Sequence, residues 1–198
     1  MKRAFRFLIG LLTVLAMARG HAANSQLLVV KPLTEKRVSS LPDGVLVWRI
    51  ETIGTTAEAH AVAGPWTLVA ESAGKIWLFT LGPSGGQCAG ATKVAEVGPI
   101  PRVEASEYML RINDASGPPG SVTSIHSHPG SEAFFVLEGQ QSIRGTDGIL
   151  LVNAGQAEAG RGANQAMQVS STGTTNLHAL VTFVVDAKRP FSTPASLP

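Results

Sequence analysis

The stretch Gly120-Ser-Val-Thr-Ser-Ile-His126-Ser-His128-Pro-Gly-Ser-Glu132-Ala-Phe-Phe-Val-Leu-Glu-Gly139 gathers three potential metal ligands into one short span. Side chains on a strand alternate with a period of two. If Val122 to His128 is extended, His126 and His128 point to one face. Pro129-Gly130 then interrupts the strand, because proline lacks an N–H and glycine tolerates any φ. The chain turns back, and Glu132 opens an apolar run, Ala133 to Leu137, that reads as a buried strand. This strand-turn-strand brings Glu132 beside the two histidines. Two neutral imidazoles and a carboxylate on one face form part of a coordination sphere for a divalent metal.

The fixed positions Gly120, His126, His128, Glu132 and Gly139 fit the spacing G-x5-H-x-H-x3-E-x6-G. In this the chain resembles the cupin superfamily, and the resemblance extends over about Ser106 to Asp186. It implies an all-β fold, a cupin-type jelly-roll β-barrel with a central pocket. It also implies that His126, His128 and Glu132 hold a divalent ion in the pocket mouth. Imidazole and carboxylate suit iron, manganese, nickel or zinc. The second motif of that family, of the form G-x5-P-x-G-x2-H-x3-N, is degenerate here. Asp147 to Gly155 has its shape, with Asn153-Ala154-Gly155 in place of Pro-x-Gly. Glu158 stands where the histidine belongs. A second register treats Gln156 to Gln165 as an inserted loop and puts Met167 in that place. His178 is the remaining histidine of this half. Glu158, Met167 and His178 all stay open as a fourth ligand. Against that stand plainer roles: a solvated loop acid, a gap-filling core methionine and a strand-end imidazole. His60, in an Ala-rich segment before the barrel, is read as no ligand.

The strands flanking the motif follow from alternation and turn residues. Tyr108 to Asn113 alternates, and Asp114 to Gly120 reads as a Gly/Pro turn. On the far side, Gln141 to Arg144, Ile149 to Val152, Met167 to Ser170 and His178 to Val185 read as strands. Nearer the N-terminus, Leu27 to Val30 and Val45 to Ile50 are short apolar stretches. Trp66 to Glu71 and Lys75 to Leu81 read as a hairpin about Ser72-Ala73-Gly74, and Gly82 to Thr92 as a loop. Frequent Gly and Pro with short apolar segments is the pattern of a sandwich or barrel. No segment beyond the first residues shows a helical period. Inside the barrel, alternation places Ser124 and Val122 with His128, and Phe134 and Val136 with Glu132. Arg111 is expected either to face inward, where it would hold a carboxylate bidentately, or to sit as an edge charge.

Residues 1–22 have the order of a secretory signal peptide: Lys2, Arg3 and Arg6, then the apolar run Phe7 to Ala18, then Gly20-His21-Ala22. This predicts a periplasmic or secreted protein with a mature N-terminus near Ala23 and no membrane association after cleavage. Removing residues 1–22 takes four basic residues and no acidic ones, so the formal charge falls from +2 to −2. No cluster of Lys or Arg with interleaved aromatics remains, which argues against nucleic acid as a partner. Cys88, the only cysteine, sits in a Gly-rich loop without an activating neighbour and is read as inert. The expected organisation is residues 23–103 as an N-terminal β extension, 104–186 as the barrel and 187–198 as a surface tail. Part of the extension, with Trp48, Trp66 and Trp77, is expected to pair with the barrel sheet within one chain or across a homodimer.

The expected function is metal binding in the barrel pocket with a small organic molecule as ligand or substrate. The chemistry would be oxygenase-like or isomerase-like. The alternatives are a non-catalytic binding or sensing barrel, or an envelope metal-handling protein in which Met167 supplies a soft ligand for copper. The sequence leaves open whether turnover occurs.

Overall fold

The computed structural model describes residues 26–198; the predicted export signal, residues 1–22, lies outside them. Three sheets are stacked. The central one has the strand order β1-β6-β13-β8-β11, built from β1 (Val29–Val38), β6 (Tyr108–Gly117), β13 (Leu177–Asp186), β8 (Gly130–Glu138) and β11 (Ala157–Ala159). Against one face lies a second sheet, ordered β10-β9-β12-β7-β14. Its strands are β10 (Gly148–Asn153), β9 (Gln140–Gly145), β12 (Met167–Ser171), β7 (His126–Ser127) and β14 (Thr193–Pro194). These two sheets make the jelly-roll barrel. Against the other face lies a third sheet, ordered β3-β4-β2-β5: β3 (Thr67–Ser72), β4 (Lys75–Gly82), β2 (Leu46–Ile53) and β5 (Thr92–Ile100).

The pattern of β13, Leu-His-Ala-Leu-Val-Thr-Phe-Val-Val-Asp, explains its place. It is apolar on both faces, as a strand buried on both faces must be. Leu177, Ala179, Val181, Phe183 and Val185 enter the barrel core with Phe134, Ile143 and Met167. Leu180 and Val184 point the other way. There they meet Trp48, Trp77 and Phe79 of the third sheet in a second core. Gly130 lets β8 lie against β13, because a Cβ there would collide with the Val184 backbone. Gly139, at φ +74°, turns β8 into β9 in a conformation that side chains resist.

Several expectations are met. The hairpin of β3 and β4, the loop after Gly82, and strands β9, β10, β12 and β13 stand within a residue or two of their predicted places. Strand β1 of the N-terminal region pairs with β6 in the same chain, Glu35 opposite Arg111.

Others are corrected. Only His126 and Ser127 of the expected strand Val122 to His128 are in a ladder, although Val122 bridges Leu27 and Ser170 on its own. Strand β6 runs on to Gly117 through the predicted turn, since β1 and β13 pair with its whole length. The polar stretch Gln156 to Gln165 contains β11, which pairs with β8. A short helix α1, Thr56–Val62, was not expected; Thr55 caps it by accepting from the Glu58 N–H, a local signal rather than a periodic one. The region after Asp186 stays at the surface as expected, but it is fastened there, because Thr193 and Pro194 pair with Ser127 and His126 in β14.

Candidate metal centre

His126 and His128 emerge from β7 and its end, and Glu132 from the start of β8. All three line one cavity of about 320 Å³ between the two barrel sheets. The rings of His126 and His128 lie edge to face with centroids 5.0 Å apart. The His128 Nε2 is 3.9 Å from Glu132 Oε2. Two donors at about 2.0–2.2 Å from one ion can be separated by up to about 4 Å, so this pair can share an ion.

Both imidazoles are oriented by the backbone. His126 Nδ1 donates to the Ser124 carbonyl at 2.8 Å. His128 Nδ1 donates to the Phe191 carbonyl at 2.6 Å. A carbonyl can only accept, so the proton sits on Nδ1 and the lone pair on Nε2. A metal-binding histidine is held in this way by its outer partners. The Phe191 carbonyl comes from the tail, and the Phe191 and Phe183 rings pack against His128 with centroids 4.7 and 4.9 Å away.

Glu132 is 2% exposed, and its Oε1 has no hydrogen-bond partner. Burial pushes its carboxyl up to about 8, while Arg161, through charge and a backbone contact, opposes the rise. Burial also takes the His128 imidazole down to about 4, and His126 and Arg111 add to that shift against the Phe191 carbonyl. The buried pair is thus held neutral in the absence of a cation. A neutral imidazole, a Nε2 lone pair and an orphaned carboxyl oxygen fit a divalent ion in donor chemistry. Among the described residues, however, no three His, Cys, Asp or Glu side chains close into a ready cluster.

The three open candidates for a fourth ligand separate clearly. Met167 lies opposite His126 in register but is buried in the barrel core and does not line the cavity. Glu158 lines a separate cavity near Asp147 and Arg161. His178 is bound to Asp114 (2.8 Å) and lies 3.2 Å from Ser72, so it fastens β3 to the central sheet away from the pocket. His60 is exposed on α1. Of the guessed inward residues, Ser124 and Phe134 line the cavity, and Thr123 takes the place expected for Val122. Arg111 neither lines the cavity nor sits free at the edge. It binds Asn113 (2.8 Å) and lies under the Phe191 ring. Phe191, together with Leu28 and Val30 of the cavity wall, was not read from the sequence. The one hint was an aromatic residue set in a Pro-rich tail.

No protein-family model matches this sequence, and no curated protein does. Solved structures similar to part of the chain do exist. A cupin superfamily protein from Desulfitobacterium hafniense is 17% identical at a TM-score of 0.35, covering 39% of this chain and 68% of that one. A Klebsiella pneumoniae protein with a double-stranded β-helix domain is 19% identical at 0.38, covering 44% of this chain and 75% of its own. The two facing five-stranded sheets are those of a jelly-roll barrel. A polyketide cyclase from Streptomyces resistomycificus is 21% identical at 0.36, covering 45% of this chain and 62% of that chain. The barrel here carries an additional sheet on the outer face of its central sheet.

Proposed function

We propose that this cupin barrel binds one divalent metal through His126, His128 and Glu132 and acts on, or holds, a small organic molecule in the cavity beside it. The observation that carries this reading is the orientation of the imidazoles. Both Nδ1 atoms are spent on carbonyls, which leaves both Nε2 lone pairs for the pocket that also contains the unpartnered Glu132 oxygen. A bound divalent ion would act as a Lewis acid toward a substrate oxygen. The chain's own part is to hold both Nδ1 protons at the Ser124 and Phe191 carbonyls, to shield the donors from water with Phe134, Phe183 and Phe191, and to keep Glu132 buried. Iron, manganese, nickel and zinc suit the donor set. Whether turnover follows decides between an oxygenase-like or isomerase-like enzyme and a binding or sensing barrel.

Metal analysis of protein purified under metal-sparing conditions tests the reading. A divalent ion near one equivalent in the wild type, lost in His126→Ala with His128→Ala, supports it. Absence of metal in the wild type, or retention in the double variant, overturns it. Copper as the bound ion favours the metal-handling reading.

We also propose export, on the basic, apolar and small-residue order of residues 1–22. N-terminal sequencing of material from the host tests this, and a retained Met1 in a membrane fraction counts against it. A homodimer is proposed from apolar side chains left exposed on two edge strands, Val29 and Val30 on β1 and Ile149 and Leu151 on β10. Light scattering that finds only monomer at micromolar concentration removes it.

A further inference from the structure

The cavity beside His126 and His128 is chemically lopsided. Its length is formed by aliphatic and aromatic side chains, among them Leu28, Phe134, Val169, Val181 and Phe183. Its polar groups are the three proposed ligands and the hydroxyl residues Thr123, Ser124 and Ser192. No Lys, Arg, Asn, Gln or Asp lines it among the described residues. An anionic ligand therefore finds no Lys or Arg counter-charge along the wall, and burying an unpaired charge is costly.

One cation stands just behind that wall. Arg111 lies on β6, on the strand face that also carries Met109 and Ala115 into the barrel core. Its guanidinium carbon is 4.2 Å from the centroid of the Phe191 ring. Its Nε donates to Asn113 Oδ1 at 2.8 Å, and its Nη1 is 3.5 Å from Glu35 Oε2. Phe191 does line the cavity, and the same ring packs on His128 and Phe183. The aromatic ring thus lies against the guanidinium and separates it from the ligand space. An exposed guanidinium there would bind a carboxylate through paired, charge-assisted hydrogen bonds.

We propose that the pocket selects an uncharged, mainly apolar ring compound carrying one oxygen for its polar pole over its carboxylate counterpart, and that Phe191 sets this selection by covering Arg111. The ligand class rests on reading the cavity as a small-molecule pocket. It does not require a bound metal, so its test uses chelator-treated full-length protein, and its outcome is separable from the metal analysis. The cavity, about 320 Å³, is at the small end for organic ligands, which suits one or two fused rings.

The probes are 2-naphthol and 2-naphthoate, titrated by calorimetry near neutral pH. The expected result is that wild type binds naphthol at least about ten-fold more tightly than naphthoate. Phe191→Ala should raise naphthoate affinity by about ten-fold. Arg111→Gln in that background should cancel the gain. Phe191→Leu keeps an apolar cover and should keep the naphthol preference, which controls for loosening of the tail. Nuclear Overhauser contacts between naphthol and the Phe183 ring should place the probe in this cavity. The proposal is overturned if wild type prefers naphthoate, if naphthol does not bind, if it binds without contacts to Phe183, or if the naphthoate gain survives Arg111→Gln.

Discussion

At the scale of single residues, the site turns on two groups whose protonation is set by burial. Glu132 is raised to about 8 and His128 is lowered to about 4. In metal-free protein the two act on stability in opposite senses. Between pH 4 and about 6.5 the unfolded chain protonates His128 and the folded chain does not, so stability rises with pH. Between about 4.5 and 8 the folded chain keeps the Glu132 proton and the unfolded chain has lost it, so stability falls with pH. The expected thermal midpoint of the chelated protein is flat where these windows overlap, falls on the acid side, and falls again toward pH 8. Glu132→Gln should remove the alkaline fall and turn the flat stretch between about 4.5 and 6.5 into a rise with pH; if the alkaline fall remains, its cause lies elsewhere. Metal binding must displace the Glu132 proton, so affinity should decline as pH drops below about 8. The ordinary histidine range read from sequence would have put that decline nearer 6.5. That difference shows what the sequence could convey. The ligand spacing was legible because it is local. The protonation states were not, because they depend on burial by residues from far along the chain, such as Phe183 and Phe191 against His128. Single substitutions His126→Ala, His128→Ala and Glu132→Ala should each remove most of the metal while circular dichroism stays that of the wild type.

Among the elements, the C-terminal segment matters most for the site. Strand β14 holds it down by pairing with β7, and the Ala195 N–H donates to the Ile125 carbonyl at 3.1 Å. This places the Phe191 carbonyl on His128. Deleting residues 188–198 should leave the sheets folded but free the His128 ring and open the cavity. The expected result is metal affinity lowered by roughly 10- to 100-fold, the usual effect of losing an outer partner of a ligand. Unchanged metal binding in the truncated chain would show that the carbonyl has no such part. Proline concealed this strand, since Pro194 reads as a breaker and is tolerated only on an edge. Strand β5 was hidden in the same way by Gly98-Pro99, and β11 by a length of three residues. The central strands β8 and β13 were legible because each is buried on both sides. At β8, Gly130→Ala should cost more than about 3 kcal/mol by forcing the strand away from β13. An equilibrium denaturation midpoint close to wild type would refute the close approach.

For the whole molecule, the third sheet is a structural partner of the barrel. It covers Leu110, Ile112, Phe135, Leu180 and Val184, all buried. Without it that face would be a large exposed apolar patch, which soluble monomers avoid. Limited proteolysis should therefore fail to shed residues 26–103 as a separate piece. Early release of an intact barrel would show that the sheet is merely attached. The covering role was only half legible. The tryptophans announced a core, but a pattern of alternation does not say which sheet face it will meet.

Because β13 gives one set of side chains to the pocket and the opposite set to Trp48, Trp77 and Phe79, the two cores have a common wall and cannot melt apart. Heating should give one calorimetric peak whose van't Hoff and measured enthalpies agree. Slowed amide exchange should then follow the same wall outward. A ligand that steadies Val181 and Phe183 should slow exchange at β2 and β4, on the far side of the central sheet and out of reach of the ligand itself.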